Sequence, residues 1–315
     1  MKFVKLLIMI MVCMPFAPAY AHQDPEIAGY INVEGGRIWY RLNGAEHLGE
    51  RPALIVMHGG PGGTHRGNMP YVSFSDRYPV ILYDQLGTGN SDRPNKPANW
   101  TVARFVSEID SIRKALKLQE VIIVGHSWGG TLAAEYAIRR PAGLKGVILS
   151  SPLISTPQWI ADNQAWIDKL PAKTRATLRK HIAAGTQDHP DYKAAESIFY
   201  SNHMCRQDPC PNRHYRRDGP DWNKEMYIYM WGSSDFYATG TLKNYDVSGS
   251  LKKITAPTLM ICGEYDEAAP ESCRKFADRI ENSTTVIVPD AGHATMAENE
   301  DFYLKAVEIF LQSLK

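Results

Sequence analysis

Short apolar runs alternate with longer amphipathic stretches along most of the chain. Six runs of four or five residues are rich in Val, Ile and Leu and apolar on both faces, which is typical of buried parallel strands. They lie at residues 53–57, 80–83, 121–124, 146–149, 258–262 and 285–288. Helical patterns lie between or after several of them, at residues 102–116, 130–139, 271–280 and 301–314. This alternation predicts a parallel sheet with helices on both faces.

Two further strands precede the alternation. Residues 31–33 and 37–42 flank the turn Glu34-Gly35-Gly36 and predict a β-hairpin. Together with the six buried runs, the hairpin makes a mostly parallel sheet of eight strands. The chain is long enough for one large core and an insertion.

The alternation stops between residues 156 and 247. This stretch is helical in pattern, polar and rich in aromatic residues, and it has no strand signal. We therefore expect a helical cap at 156–247, inserted between a first core part (22–155) and a second core part (248–315). Most of its aromatic side chains are expected to pack internally, and only a few to face a ligand.

The first 21 residues are expected to be a secretory signal peptide. Lys2 and Lys5 form a basic start, residues 6–14 are apolar, and Ala19-Tyr20-Ala21 has the small-x-small pattern of a cleavage site. The apolar stretch is too short to span a bilayer. Val12 stands before Cys13 where a lipoprotein signal would have a small residue. We expect an exported protein, periplasmic or secreted, without a membrane anchor after cleavage.

The charge balance argues against one class of partner. The formal net charge is +1, and loss of Lys2 and Lys5 with the leader takes it to −1. Because the chain has no basic stripe, nucleic acid is not an expected partner. The oligomeric state does not follow from the sequence.

Four cysteines follow the leader, and an even number in an exported protein favours disulfides. Three pairings are possible. Cys205 and Cys210 form the easiest pair, because they close a small loop, and this choice leaves Cys262 with Cys273. Free thiols are the alternative. A metal site is disfavoured because no histidine stands at ligand spacing beside these cysteines.

The most informative motif follows the run at 121–124 and reads Gly125-His126-Ser127-Trp128-Gly129. A strand, a tight turn with a central serine and a helix form the arrangement that exposes a nucleophilic serine at the edge of a sheet. The alternative is a glycine-rich turn whose serine only caps the helix. We interpret Ser127 as the nucleophile.

A serine hydroxyl needs a base, and the base needs a third group that orients it. In this kind of fold the chain order is serine, acid, histidine. Asp266 follows the run at 258–262 and His293 follows the run at 285–288. Because the carboxyl ends of parallel strands meet at one edge of a sheet, we assign Asp266 as the orienting acid and His293 as the general base.

An oxyanion also needs fixed hydrogen-bond donors. The main-chain N–H of Trp128, directly after the nucleophile, is one candidate, and the other is expected from the glycine-rich loop 58–63. A phosphate-binding loop is the competing interpretation, but residues 58–63 lack the Lys-Ser/Thr ending and the spacing that such loops require.

These motifs resemble those of the proline iminopeptidases, which are serine aminopeptidases with the α/β-hydrolase fold, and within them the tricorn-interacting aminopeptidase branch. The resemblance covers nearly all of the chain after the leader. It rests on His58-Gly59-Gly60-Pro61-Gly62, Asp84-Gln85-Leu86-Gly87-Thr88-Gly89-Asn90-Ser91, Gly125-His126-Ser127-Trp128-Gly129-Gly130, Gly263-Glu264-Tyr265-Asp266-Glu267 and Gly292-His293.

The resemblance implies the same triad of Ser127, Asp266 and His293, with Gly60 as the second oxyanion donor. It implies no metal and no organic cofactor. Asp84 and Ser91 are expected to be structural, in a loop beneath the site.

The resemblance also implies that carboxylates hold the free amino terminus of the substrate. The matching positions are Glu267 and Asp235. A cationic amine in a partly dry pocket needs such an anion. Asp235 is one methylene shorter than the glutamate of that branch, and Trp231 replaces a small polar residue there, so we expect a reshaped pocket.

We therefore expect a serine aminopeptidase that releases an N-terminal residue from short peptides with a free amino terminus. Proline is the N-terminal residue that we expect it to release. Amino-acid amidases, esterases and lactonases that use the same triad are the alternatives. A binding protein without catalysis is disfavoured because all three triad residues are present.

Overall fold

The computed structural model describes residues 24–211, 221–234, 236 and 238–314. The expected signal peptide at 1–21 lies outside the described residues. Among the helices that the model describes, none is long and apolar enough to cross a membrane.

An eight-stranded sheet organises the described chain. Its strands run in spatial order β1-β2-β4-β3-β5-β6-β7-β8. They are β1 (Ile27–Val33), β2 (Gly36–Asn43), β3 (Ala53–Met57), β4 (Val80–Tyr83), β5 (Val121–His126), β6 (Leu144–Ser150), β7 (Thr258–Gly263) and β8 (Ser283–Val288). The β1–β2 and β2–β4 pairs are antiparallel and the other pairs are parallel. The predicted fold class is confirmed.

Helices cover both faces of this sheet. Alternate strand residues enter opposite cores, so that Ile55 and Ile123 pack in one cluster and Leu54 and Ile122 in the other. The helices packed against the sheet are α1 (Val102–Ala115), α2 (Trp128–Ile138), α7 (Pro270–Ala277) and α9 (Glu300–Ser313), with the short α8 (Thr295–Glu298) between α7 and α9.

Among the described residues between β6 and β7 there are four helices: α3 (Thr156–Lys169), α4 (Ala172–Ala184), α5 (Pro190–His203) and α6 (Lys224–Met230). They have a small apolar cluster of their own, which includes Leu178, Tyr192 and Phe199. The two ends of this segment lie side by side, because Ser155 and Asp246 form an antiparallel bridge. This arrangement is compatible with the predicted insertion, whose limits at 156 and 247 stay a prediction.

Two disulfides join the cysteines in the pairing expected from the sequence. Cys205 is bonded to Cys210, and Cys262 in β7 is bonded to Cys273 in α7. The second bridge closes the loop that carries Asp266 and Glu267.

Candidate active site

Ser127 stands at the apex of a sharp turn between β5 and α2. Its backbone has φ 55° and ψ −119°, a region that L-residues rarely adopt. Hydrogen bonds hold the turn: the Ser127 N–H donates to the carbonyl of Ser150 at 2.9 Å, and the Ser127 carbonyl accepts from Gly130 at 2.9 Å and Leu153 at 3.2 Å. The chain thus fixes the serine in a strained, defined position.

The glycine at position 129 makes this turn possible. A Cβ atom there would lie 2.4 Å from the carbonyl oxygen of Met57 at the end of β3. A side chain would therefore push α2 away from the sheet. This close packing of strand and helix agrees with the interpretation of residues 125–129 as a nucleophile elbow, the sharp strand-to-helix turn that exposes a catalytic serine. We call residues 125–129 the elbow.

Asp266 and His293 form a buried hydrogen-bonded pair. Nδ1 of His293 lies 2.8 Å from Oδ1 of Asp266, and the two residues are 4% and 0% exposed. A carboxylate only accepts, so Nδ1 carries the proton and Nε2 of the neutral ring keeps its lone pair. This is the tautomer that a general base requires.

Further donors hold the Asp266 carboxylate in its ionised form. Oδ1 also accepts the Ala268 N–H at 2.8 Å, and Oδ2 accepts the Ser151 hydroxyl at 2.5 Å and the Gly263 N–H at 3.2 Å. Burial alone would raise the pKa of Asp266, but His293 and these hydrogen bonds outweigh it and hold the pKa below its usual value.

Ser151 was not predicted as a site residue. It is buried, has φ 46° and follows β6 directly, next to the strand that ends in the elbow. Its place at a strand end was the signal in the sequence that could have indicated its role.

Two rings and one carboxylate surround the His293 side chain. The ring of Trp159 meets it edge-on at 5.4 Å between centroids, and the ring of His126 lies 4.9 Å away. Burial and the nearby His293 lower the pKa of His126 to about 3, so His126 stays neutral. Oε1 of Glu267 lies 3.7 Å from Nε2 of His293. The predicted amine-binding carboxylate is therefore adjacent to the predicted base.

The glycine-rich loop after β3 lies against the elbow. A Cβ atom at Gly59 would be 3.2 Å from the Cβ of Ser127. Gly60 has φ 127°, and a Cβ there would meet the Gly62 nitrogen at 2.5 Å, so only glycine suits this position. Trp128 is the first residue of α2, and its N–H is one of those without an acceptor inside the helix.

His58 and Gln85 connect this loop to the elbow, and neither was predicted as a positioning residue. Nε2 of His58 accepts the Gln85 N–H at 3.0 Å, and its Nδ1 donates to the Gly59 carbonyl at 2.9 Å. Burial lowers the pKa of His58 to about 4, which keeps the ring neutral and able to accept. The Gln85 side chain donates to the His58 carbonyl at 3.1 Å and accepts the Trp128 indole N–H at 2.8 Å.

Asp84 and Ser91 support the loop that follows β4. Asp84 accepts hydrogen bonds from the His65 and Asn90 N–H groups at 2.8 and 2.9 Å, and the Ser91 hydroxyl donates to the Asp84 carbonyl at 2.5 Å. Both residues are buried and neither lines the cavity described next. Their contacts match the structural role expected of them.

One cavity brings most of the predicted site residues together. Ser127, His293, Glu267 and Gly60 all line it. The remaining wall includes the aromatic residues Trp159, Trp222, Tyr227 and Trp231. Trp231 is fixed at the cavity wall: its indole N–H donates to the Ser234 carbonyl at 3.0 Å, and its ring packs edge-on against Trp159 at 6.2 Å. A pocket reshaped relative to the related branch stays a prediction. Asp235 lies outside the described residues.

One group of possible metal ligands occurs among the described residues, away from the cavity lining. Ligand atoms of His181, His189 and Asp191 lie within 4.8 Å of one another. The two imidazoles are stacked at 4.6 Å with 24° between their planes. Nearly parallel rings do not direct two lone pairs at one ion, so this arrangement does not form a metal site as it stands.

Comparisons with known proteins agree with this geometry. A family model described as alpha/beta hydrolase fold matches residues 52–300. The proline iminopeptidase of Heyndrickxia coagulans is 38% identical over 286 residues, which cover 91% of this chain and 99% of that protein. The proline iminopeptidase of Saccharolobus solfataricus is 32% identical over 288 residues, which cover 91% of this chain and 92% of that protein.

A solved structure gives the same result. The crystal structure of the proline iminopeptidase from Mycobacterium smegmatis superposes with a TM-score of 0.83 at 34% identity, and the match covers 91% of this chain and 98% of that one. The resemblance inferred from the motifs is thus confirmed over nearly the whole length of these relatives. The chain belongs to the proline iminopeptidase family of α/β-hydrolases.

Proposed function

We propose that this protein is a serine aminopeptidase that releases an N-terminal residue, proline in the first place, from short peptides. The observation that carries the proposal is that His293, whose Nδ1 lies 2.8 Å from Oδ1 of Asp266, lines the same cavity as Ser127. An imidazole oriented by a carboxylate and a serine on a strained turn, both facing one cavity, supply the parts that nucleophilic catalysis needs.

The reaction proceeds through an acyl-enzyme. The Ser127 oxygen attacks the carbonyl carbon of the first residue while Nε2 of His293 takes the hydroxyl proton. His293 then gives this proton to the nitrogen of the second residue, and the peptide bond breaks. Water attacks the ester with His293 again as base, which frees the amino acid and restores Ser127. Asp266 stabilises the imidazolium that forms in each half of the reaction.

The oxyanion of each tetrahedral intermediate accepts hydrogen bonds from the main-chain N–H groups of Gly60 and Trp128. Both belong to backbone that other contacts fix, the first by the conformation of the glycine loop and the second by the start of α2. Donors that need no rearrangement stabilise developing charge most effectively.

Glu267 binds the free amino terminus of the substrate. It is 2% exposed and lines the cavity next to His293. A buried carboxylate favours a cationic partner that replaces its hydration, and an ammonium group supplies both charge and N–H donors. Asp235 is proposed as a second anchor from the resemblance alone. An amine held by Glu267, next to His293, places the first peptide bond, and no later one, at Ser127.

The aromatic wall suits a compact apolar side chain. Trp159, Tyr227 and Trp231 line the cavity with aromatic side chains. A pyrrolidine ring fills such a space with dispersion contacts and needs no polar partner beyond its amine. This wall supports proline as the preferred first residue.

Hydrolysis of matched substrates tests the proposal. Prolyl p-nitroanilide should be cleaved by the wild type, and Ser127→Ala should abolish cleavage. N-Acetylprolyl p-nitroanilide lacks the cationic amine and should be a poor substrate. Equal cleavage of the acetylated compound would remove the amine anchor. Preference for p-nitrophenyl esters without an amine, together with inert anilides, would favour the esterase or lactonase alternative.

We propose further that the protein is exported, to the periplasm or the medium. Two disulfides among the described residues support this location, because cystines persist in oxidising compartments. Cell fractionation together with N-terminal sequencing of the purified protein tests the proposal. An N-terminus at His22 is expected, and a protein that starts at Met1 and stays in the cytosol would contradict it.

A further inference from the structure

The loop that carries His293 is anchored on a segment outside the sheet. The main-chain N–H of His293 donates to the carbonyl of His203 at 2.8 Å, and that of Ala294 donates to the carbonyl of Met204 at 2.7 Å. These carbonyls lie at the C-terminal end of α5, where helices have carbonyl groups without intrahelical partners. The position of the His293 backbone therefore depends on the end of α5.

Glu298 joins the same two parts through its side chain. One carboxylate oxygen accepts the Gly292 N–H at 2.7 Å, and the other accepts the Arg206 N–H at 2.5 Å. Its main-chain carbonyl accepts the Gln207 side chain at 2.8 Å. The residue is 8% exposed, and burial raises its pKa. The two N–H groups replace the hydration that the carboxylate loses.

A disulfide closes the segment that Glu298 holds. We call residues 203–207 the clasp. Cys205, within the clasp, is bonded to Cys210, and the Cys205 N–H donates to the carbonyl of Tyr200 in α5 at 3.1 Å. A cross-link over so few residues restricts the conformations open to this backbone. Met204 of the clasp also lines the cavity.

We propose that Glu298 is a positioning residue for His293, and that it acts by joining the His293 loop to the disulfide-closed clasp. The inference rests on the proposed function, since it takes His293 as the general base. Glu298 does not line the cavity, so its effect passes through the backbone on either side of His293. A displacement of about 1 Å in a catalytic group can lower a rate by about 100-fold.

The first test compares Glu298→Gln with the matched control Glu300→Gln. An amide oxygen accepts only one of the two N–H groups, and the NH₂ faces the other donor. We expect Glu298→Gln to lower kcat for prolyl p-nitroanilide by about 10- to 100-fold with KM nearly unchanged. The control should keep both values. The downfield proton resonance of the His293 Nδ1–H should shift or broaden in Glu298→Gln alone.

A second variant tests the clasp from its other side. Replacing Cys205 and Cys210 together by serine should also lower kcat, and adding Glu298→Gln should cause no further loss, because contacts that act as a unit are not additive. Independent, additive losses would overturn the proposed link between Glu298 and the clasp.

The remaining outcomes are decisive as well. An unchanged kcat and an unchanged resonance in folded Glu298→Gln would overturn the positioning role. If that variant does not fold, a wild-type kcat in the double cysteine variant would overturn it instead. A wild type that leaves prolyl p-nitroanilide intact would contradict the proposed function, while the resonance would still report on the anchoring of His293.

Discussion

The indole N–H of Trp128 donates a hydrogen bond to Oε1 of Gln85 at 2.8 Å, while the amide of the same glutamine donates to the His58 carbonyl at 3.1 Å. Gln85 thereby ties the start of α2 to the loop that contains Gly60. Both proposed oxyanion donors belong to backbone that this one buried side chain connects.

Gln85→Ala should therefore impair catalysis more than binding. We expect kcat to fall about 10- to 100-fold with a small change in KM, because the donors are displaced from a position that matters in the transition state. The unfolding free energy should fall by about 1–3 kcal/mol, since the Trp128 indole loses its buried partner. Steady-state kinetics and urea denaturation measure the two effects.

Exposed Gln119 provides the control for this substitution. Gln119→Ala should keep wild-type kcat and stability within about 0.5 kcal/mol, as expected of surface positions. Equal kinetics in both variants would mean that Gln85 does not organise the oxyanion donors.

Glu267→Gln should weaken the enzyme selectively toward substrates with a free amine. Loss of a charge-assisted hydrogen bond in a buried site costs about 1.5–3 kcal/mol, which is about 10- to 150-fold in kcat/KM. The residual rate on an N-acetylated substrate should change much less. The ratio of the two kcat/KM values is the quantity to measure.

The more exposed neighbour Glu264 is the matched control for the amine anchor. Glu264→Gln should leave the ratio at its wild-type value, since Glu264 does not line the cavity. A parallel loss on both substrates in Glu267→Gln would show that Glu267 acts on His293 and not on the amine.

The strained backbone of Ser127 leads to a prediction about stability. Ser127→Gly and Ser127→Ala should both be inactive, but the glycine variant should be the more stable. Removal of the strain at a φ of 55° should stabilise the glycine variant by about 1–3 kcal/mol. The greater backbone freedom of glycine in the unfolded chain should destabilise it by only about 0.5–1 kcal/mol. Urea denaturation gives both unfolding free energies.

Ser201, exposed in the helix α5, should show the reverse order. There the Ala variant should exceed the Gly variant by about 1 kcal/mol, as helix propensity requires. The same order at both positions would argue that the turn at Ser127 is unstrained.

His126 should make the protein sensitive to acid. Burial lowers its pKa in the folded protein to about 3, below the ordinary histidine pKa of 6.5 that applies to the unfolded chain. Between these values the unfolded chain binds a proton that the folded protein does not, so stability is lost as the pH falls below about 6.5. For one titrating group, the unfolding free energy changes by about 1.4 kcal/mol per pH unit.

Replacing His126 by Asn removes this contribution. The unfolding free energy of His126→Asn should lie below that of the wild type at pH 7, and the gap should narrow by about 1.4 kcal/mol for each unit of acidification between pH 6 and 4. Urea denaturation at several pH values measures the gap. Parallel curves for the two proteins would contradict the buried neutral state of His126.

Apolar pattern predicted the sheet well where strands are buried on both faces. The runs at 53–57 and 80–83 match β3 and β4 residue for residue, because every side chain in them is buried. Strand β1 begins at Ile27, earlier than the predicted start at 31, because its pairing with β2 extends from Ile27 to Val33. The helix α2 begins at Trp128, two residues before the predicted start at 130, because it starts directly after the turn at Ser127.

Sequence patterns likewise predicted some residues of the site and missed others. Ser127, Asp266 and His293 could be predicted because each lies in the turn or loop that follows a recognisable strand, and chain order assigns their roles. Gln85 and Glu298 could not be predicted, because their contacts reach residues far away in the chain. Such contacts depend on which loops the fold brings together, and residue spacing alone carries no information about them.

In the proposed reaction the hydroxyl of Ser127 attacks the substrate with the help of His293. Treating the wild type and His293→Ala with a fluorophosphonate, and mapping the modified residue by peptide mass spectrometry, tests this step. We expect a single adduct on Ser127 in the wild type, with loss of prolyl p-nitroanilide hydrolysis in proportion to labelling, and far slower labelling in the variant. An adduct on another residue, or full hydrolysis by protein whose Ser127 is modified, would contradict it.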